Sequence, residues 1–250
     1  MDKEDLSTDF GYERVAKTEK VIRVKEVFER VALKYDLMND FMSFGIHRFW
    51  KNHCVNLARI RPHMTILDLA GGTGDLSFRI VEQLKKTGIV YLADINNAML
   101  KMGQRAIYDK GFWSYIRPIQ VNAEDLCFQS NQFDRIFIGF GLRNVTDKSK
   151  ALTEMYRVLK PGGQLFVLEF STPTSKNLKK IYDYYSFKVI PALGKQIAND
   201  EASYRYLAES IRMHPNQNEL KQMMIKSGFD QCDYFNLSGG ITAIHQGVKF

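Results

Sequence analysis

The sequence predicts an α/β protein built on a mainly parallel sheet, and three observations carry that reading. Short apolar segments at 65–69, 89–93, 117–121, 134–140 and 164–170 have the length and make-up of strands. Segments of helical pattern at 75–86, 97–109 and 148–159 separate most of them, and strands alternating with helices build parallel sheets. Pro161-Gly162-Gly163 then stops the last of those helices before the strand at 164–170.

The first strand-to-helix step says most about function. Thr65-Ile66-Leu67-Asp68-Leu69-Ala70-Gly71-Gly72-Thr73-Gly74-Asp75 runs an apolar strand into a carboxylate and then into a glycine turn. Open α/β sheets bind ligands at the carboxyl ends of their strands. Glycines there let backbone N–H groups approach the ligand. Gly72-x-Gly74 is followed by Ser77, so the third glycine of a dinucleotide fingerprint is missing. Asp68 at the mouth of the turn would also repel a pyrophosphate. An acidic turn suits a ligand with an ammonium, a sulfonium and no phosphate, and S-adenosylmethionine (SAM) is such a ligand. Asp68, Gly72, Thr73 and Gly74 are therefore expected at the cofactor, Thr73 through a hydroxyl near the methionine end.

Asp94 ends the second strand, 20 residues after Gly74. At that distance an acid accepts hydrogen bonds from both ribose hydroxyls, or caps the helix beginning near Asn97. Asn122-Ala123-Glu124-Asp125 follows the third strand. Its polar side chains suit an adenine edge and Ala123 leaves room for the ring; an ordinary polar turn has the same composition.

The flanks complete the layout. Residues 1–20 are polar and expected to be frayed. Val24, Val27, Phe28, Val31 and Tyr35 fall at helical spacing, and a Met-rich loop from Leu37 to Phe44 leads to a second helix near His47. Residues 171–214, rich in Tyr and Phe, break the strand–helix rhythm and read as a helical insertion over the ligand edge. A helix over 216–227 ends at Gly228. Strands at 231–237 and 241–249 are joined through Ser238-Gly239-Gly240. The prediction is one domain over 1–250, with a helical cap at 1–60 and an acceptor-site insertion at 171–214. Its fold class is α/β: the Rossmann-like SAM-dependent methyltransferase fold, a mainly parallel seven-stranded sheet with an antiparallel closing strand.

Composition sets bounds. A chain of 250 residues buries a full core. No stretch approaches ~18 apolar residues, so no membrane-spanning helix is expected. The polar start carries no secretory signal. Cys54, Cys127 and Cys232 lack paired spacing, which points to reduced thiols in a cytoplasmic protein, and no metal-ligand cluster is visible. The net charge of +7 is spread along the chain and fits nucleic acid, an anionic membrane surface or plain solubility.

Several strings carry a resemblance. Tyr35-Asp36-Leu37-Met38-Asn39-Asp40 with Met42-Ser43-Phe44-Gly45-Ile46-His47-Arg48-Phe49-Trp50-Lys51 resembles the N-terminal signature of the ubiquinone/menaquinone biosynthesis C-methyltransferases. Phe140-Gly141-Leu142-Arg143-Asn144-Val145-Thr146-Asp147 resembles their second signature. Leu159-Lys160-Pro161-Gly162-Gly163 through Leu168-Glu169-Phe170-Ser171 is similar too, as is Ser203-Tyr204-Arg205-Tyr206-Leu207-Ala208-Glu209-Ser210-Ile211. The resemblance implies that Thr73, Asp94, Asn122 and Ala123 contact SAM. Gly139 stands where the family usually has Ser, so only its backbone is expected to serve there. Cys127 stands where proline is common.

The implied activity methylates a ring carbon of a polyprenylated benzoquinol or demethylmenaquinol. Ionising a quinol hydroxyl spreads charge onto the neighbouring ring carbon, which attacks the SAM methyl in line before the ring proton leaves. Holding the reactants in attack geometry contributes ~7–11 kcal/mol. Arg143, at the end of the strand at 134–140, is expected to face the acceptor oxygen. A guanidinium with a pKa above ~12 is no direct base, so it would stabilise the phenolate or position a water. A structural pairing with Asp147 is the other reading. His47, Asp36 and Tyr204 are candidate bases, with no choice among them from sequence; the expected catalytic set is Arg143, His47 and Tyr204. Val27, Phe28, Val31 and the segment 181–190 would line a groove for the isoprenoid tail, or simply pack. Lys176, Lys179 and Lys180 suggest a peripheral contact with the inner face of a membrane. A homo-oligomer or a quinone-biosynthesis complex is also open. A nucleic-acid methyltransferase would need an Asn/Asp-Pro-Pro-Tyr/Phe motif or a placed cysteine; Gly139-Phe140-Gly141-Leu142 is neither, so no nucleic-acid partner is expected. A non-catalytic SAM-binding partner would retain the same glycine turn.

Overall fold

The computed structural model describes residues 7–31, 39–40, 43, 45–195 and 200–250. Tyr35, Asp36 and most of the Met-rich loop therefore lie outside the described residues. The chain opens with a hairpin, β1 (Ser7–Phe10) and β2 (Glu13–Ala16), followed by α1 (Lys17–Val31) and α2 (His47–Leu57). Then come β3 (Thr65–Leu69), α3 (Asp75–Gln83), β4 (Ile89–Asp94), α4 (Asn97–Asp109), β5 (Ile116–Gln120) and β6 (Phe133–Gly139). α5 (Lys148–Val158) leads into β7 (Leu159–Phe170). The insertion holds α6 (Lys176–Tyr184), a π-helical turn (Tyr185–Val189), α7 (Ile190–Leu193) and α8 (Glu201–Arg212). α9 (Gln217–Lys226), β8 (Gln231–Leu237) and β9 (Thr242–Val248) close the chain.

Seven strands form one sheet in the order β5-β4-β3-β6-β7-β9-β8. β9 runs antiparallel to both β7 and β8, and the other pairings are parallel. The predicted sheet is thus the observed one, with boundaries within about a residue for the first four strands. Apolar side chains cover both faces. Ile66, Leu92, Phe137, Phe166 and Leu168 belong to one core; Leu67, Ile136, Ile138, Leu165 and Val167 belong to the other. Burial on both faces explains why these strands read as continuous apolar runs. Asn96, Asp147, Asp200 and Asn216 cap the helices that follow them, each accepting backbone N–H bonds.

Two local expectations are corrected. Residues 7–20 are not frayed but form the hairpin and the start of α1. Phe10 stacks on Tyr206 with ring centroids 4.3 Å apart, and the Glu209 carboxylate accepts the Tyr12 N–H. Those long-range contacts override the polar local composition. Pro161-Gly162-Gly163 also does not separate helix from strand. The helix stops at Val158, and the three residues bulge inside β7, whose register jumps from Phe133↔Leu159 to Arg135↔Gln164. Gly162 takes φ +76° there and its N–H donates to the Lys249 carbonyl.

The strand order reverses between β3 and β6, and the crossover turns leaving them are pressed together. A Cβ on Gly141 would sit 2.5 Å from the Ala70 Cβ. Beneath the β3 turn, Asp68 is fully buried and its Oδ2 accepts the Ser77 hydroxyl at 2.6 Å. Burial pushes its pKa up to about 7, against the Ser77 hydrogen bonds and Lys51, which lower it.

Burial likewise raises the pKa of Asp94, to about 6. A carboxyl whose folded pKa lies above its unfolded value of ~3.9 stabilises the fold fully below that value and loses the effect as pH rises through the folded one. These two groups therefore lower stability between about pH 4 and pH 7. Asp68→Asn is expected to flatten the decline and to gain stability relative to wild type at about pH 8. Urea melts of both proteins across that range check it; parallel stability curves would contradict the burial argument.

Candidate cofactor and acceptor site

A cleft of about 960 Å³, its open mouth included, lies at the carboxyl edge where β3, β4 and β6 release their turns. Asp94 forms its polar floor. Its Oδ2 accepts the Gly72 N–H at 2.9 Å and its Oδ1 accepts the Asn96 N–H at 2.8 Å. Two backbone donors thus fix the carboxylate, and each oxygen keeps lone-pair capacity for a ligand hydroxyl. The capping question is settled by Asn96, whose side chain accepts from Ala98 and Met99 while Asp94 stays on the cleft wall. Gly72 adopts φ +56°, and a Cβ there would meet Met99 Cε at 3.1 Å, so the bare backbone forms the cradle.

Asn122 and Ala123, just past β5, also line the cleft. The Asn122 side chain accepts the Glu124 N–H, and Glu124 accepts the N–H groups of Thr146 and Asp147. That carboxylate clamps the loop after β6 against the turn after β5. Val21, Val24 and Phe28 of α1 form the roof. Phe28 thus faces this cleft, whereas Val27 and Val31 are buried in packing. The set fits SAM: a fixed carboxylate for paired hydroxyls, a glycine cradle, and apolar walls with a small residue for a ring.

Of the expected cofactor residues, Gly72, Asp94, Asn122 and Ala123 line the cleft. Asp68 does not; it lies under the turn and builds it. Gly139 ends β6 one residue before the wall begins at Phe140, and a Cβ on it would face Leu76 of α3. Gly74 caps α3 with φ +90°, and half-buried Thr73 sits between it and the cradle, neither of them on this wall. Sequence reasoning missed Met99, Asn144 and the α1 roof. Asn144 lay in a quoted signature but only its Arg neighbour was singled out.

Arg143 sits in a 3-10 turn (Leu142–Asn144) beyond β6. It does not pair with Asp147, which caps α5 and meets Lys17 at 3.9 Å. Its partner is Glu169, at 2.8 Å, and both side chains are buried. The same carboxylate accepts the Arg143 N–H, and Nη1 donates to the Phe140 carbonyl. The guanidinium carbon lies 5.7 Å from the Phe170 ring centroid, and Nε is buried without a hydrogen-bond partner. An acid ending an apolar strand was the available signal for Glu169. Asn144 lines the cleft and accepts the Tyr206 hydroxyl at 3.0 Å, joining the cleft to α8.

His47 opens α2 and is buried, with Nε2 3.0 Å from Asp40 Oδ1. One turn on, buried Lys51 meets Asp75 at 2.9 Å, directly after the glycine turn. Tyr204 is fully buried; its ring packs where a Cβ on Gly194 would fall, and burial raises its pKa. Among the described residues no cluster could hold a metal ion, and no helix is long and apolar enough to cross a membrane.

Comparisons with known proteins identify the fold and the family. Solved structures of similar fold include a SAM-dependent methyltransferase of Thermotoga maritima, with TM-score 0.60, 19% identity and coverage of 90% of this chain and 99% of that one. Another is an S-adenosyl-L-methionine-dependent methyltransferase of Methanococcus maripaludis, with TM-score 0.62, 17% identity and coverage of 87% and 91%. The ubiquinone/menaquinone biosynthesis C-methyltransferase of Coxiella burnetii is 56% identical over 250 residues, covering 100% of both chains. That of Idiomarina loihiensis is 53% identical over 249 residues, covering 100% of this chain and 99% of its own. The model of the ubiE/COQ5 methyltransferase family matches residues 14–249. The chain belongs to the ubiE/COQ5 methyltransferase family.

Proposed function

We infer that the chain is a SAM-dependent C-methyltransferase that methylates the ring of a polyprenylated benzoquinol or demethylmenaquinol in ubiquinone and menaquinone biosynthesis. The observation that carries the site reading is Asp94, a buried carboxylate held by the Gly72 and Asn96 N–H groups on the wall of a largely apolar cleft. SAM supplies an electrophilic methyl group. Asp94 would hold the ribose hydroxyls, the Gly72 turn the methionine end, and Ala123 with Asn122 the adenine. The apolar roof from α1 would exclude water, and charge neutralisation between a phenolate and a sulfonium is favoured without it.

Arg143 is the proposed stabiliser of the phenolate. Its guanidinium is fixed by Glu169 and donates to the carbonyl of Phe140, a residue of the cleft wall, which supports this role. The whole chain is read as one catalytic domain, with residues 1–60 as its cap and 171–214 as the acceptor-site insertion. Exposed Ile181 and Tyr184 stand on α6 with exposed Lys176, Lys179 and Lys180, which supports docking on an anionic membrane surface.

Transfer of label from SAM to a short-chain demethylquinol tests the activity; absence of product from folded, SAM-binding protein would refute it. If ribose hydroxyls donate to an ionised Asp94, SAM affinity should fall as pH drops below about 6, where that carboxyl takes up a proton. Asp94→Asn should weaken binding by about tenfold or more and abolish the pH dependence, as read by calorimetry. Arg143→Ala strands a buried carboxylate and should cost about 3–5 kcal/mol of stability. Adding Glu169→Gln should restore much of that while turnover stays down about a hundredfold; near-normal turnover in the folded double variant contradicts the role. Vesicle sedimentation at low salt should retain the protein on anionic but not neutral lipid, and Lys179→Glu with Lys180→Glu should release it.

A further inference from the structure

We propose that His47 is the general base that accepts the quinol hydroxyl proton, and that Asp40 is the positioning residue that sets its tautomer. The proposal rests on the quinol reading above. It begins with the direction of α2. Trp50, near the start of that helix, touches Phe140 and Phe170 at the carboxyl edge of the sheet, with centroids 6.3 and 6.0 Å away. Ala58, just past its end, accepts a hydrogen bond from Arg135 near the start of β6. The helix therefore runs against the strands, and its first turn stands at the ligand edge. His47, Trp50 and Lys51 share its buried face. Phe140, touched by Trp50, is a wall of the cleft, and Lys51 is bound to Asp75 beside the glycine turn.

The tautomer follows from the partners. Arg48 donates to both oxygens of Asp40 and holds that carboxyl below its ordinary range. An ionised carboxylate only accepts, so the His47 Nε2 facing it carries the ring proton and Nδ1 carries the lone pair. His47 is 2% exposed and its Nδ1 is buried with no hydrogen-bond partner. A buried acceptor left unpaired is unfavourable, and a substrate hydroxyl would pair it. The charged groups around the ring are Asp40, Arg48 and Lys51, with Asp75 of α3 behind Lys51. Burial, then Lys51 and Arg48, push the imidazole below its ordinary pKa, while Asp40 opposes them. The ring is thus neutral at neutral pH, the form a base requires.

The step balances. The hydroxyl proton moves to Nδ1 and its bonding pair stays on oxygen. A ring π pair forms the bond to the methyl carbon as the carbon–sulfur pair leaves with sulfur. The displaced ring hydrogen passes to water as a proton, its bonding pair restores the aromatic ring, and the imidazolium returns its proton to the oxygen. One proton reaches solvent overall.

The experiment compares the full chain with His47→Gln and Asp40→Asn. Its readouts are SAM binding by calorimetry, methyl transfer to a short-chain demethylquinol across pH, and ¹⁵N–¹H NMR of the histidine ring. Wild type should show the Nε2–H tautomer. His47→Gln should bind SAM as wild type does, with kcat down about a hundredfold or more. Asp40→Asn should move the His47 titration and the acid limb of kcat/KM to lower pH together. Turnover of His47→Gln within about threefold of wild type, an Nδ1–H tautomer, or a moved titration with an unmoved acid limb would overturn the proposal. If His47→Gln does not fold, the Asp40→Asn profile decides. A wild-type chain that methylates no quinol counts against the functional reading; an active wild type with an equally active His47→Gln counts against the base alone.

Discussion

The carboxylate of Asp94 is the joint on which the site depends. It ends β4, yet it binds the N–H of Gly72 from the turn after β3 and the N–H of Asn96 at the start of α4. One side chain thereby sets the spacing of the turns after β3 and β4, beside the point where the strand order reverses. A doubly wound sheet opens there by topology alone. Topology does not decide what the opening binds. That is decided by a charge kept in an apolar wall, against a desolvation penalty large enough to lift its pKa to about 6. Its two backbone donors already fix the carboxylate, so little reorganisation is left for binding to require.

The strand pattern and the two strand-end acids were legible in the sequence because parallel strands buried on both faces are apolar throughout, and a polar residue at their ends stands out. The same signal was ambiguous about role. Asp68 and Asp94 look alike in the sequence, each an acid at the end of an apolar run. Asp68 lies one residue short of the end of β3, where a strand side chain points into the protein, and Ser77 takes its oxygen. Asp94 is the last residue of β4 and reaches the cleft. A one-residue difference in position, below the precision of boundaries read from composition, separates a turn-building acid from a ligand-facing one. The N-terminal hairpin was illegible for a different reason. Its four-residue strands are held by Tyr206 and Glu209, about 200 positions later in the chain, and no local pattern records that contact.

Buried charge is concentrated at the ligand edge. Arg143 with Glu169 and Lys51 with Asp75 sit there, and beside them neutral His47 meets the Asp40 carboxylate. Replacing such pairs with apolar groups commonly leaves stability unchanged or raises it, so stability alone does not account for them. What they provide is fixed position. Glu169 holds a guanidinium beside the Phe140 carbonyl, Lys51 ties α2 to the glycine turn, and Asp40 orients a ring.

The insertion and the N-terminal cap meet through contacts that bypass the sheet. Phe10 lies on Tyr206, Tyr206 donates to Asn144, and Asn144 lines the cleft under the α1 roof. Lys20 of α1 reaches the Val145 carbonyl in the same loop. The roof over the cofactor and the helix beside the acceptor are thus fastened to one short loop after β6, the loop that also carries Arg143. In a reaction between two bound partners the relative placement of the two pockets matters more than the affinity of either, because the gain lies in attack geometry. The loop after β6 carries Arg143 and lends Asn144 to the cleft, so it links that guanidinium to the cleft wall. The glycine at its start is required by the same geometry: at Gly141 any side chain would enter the Ala70 methyl and push the loop after β6 away from the turn after β3.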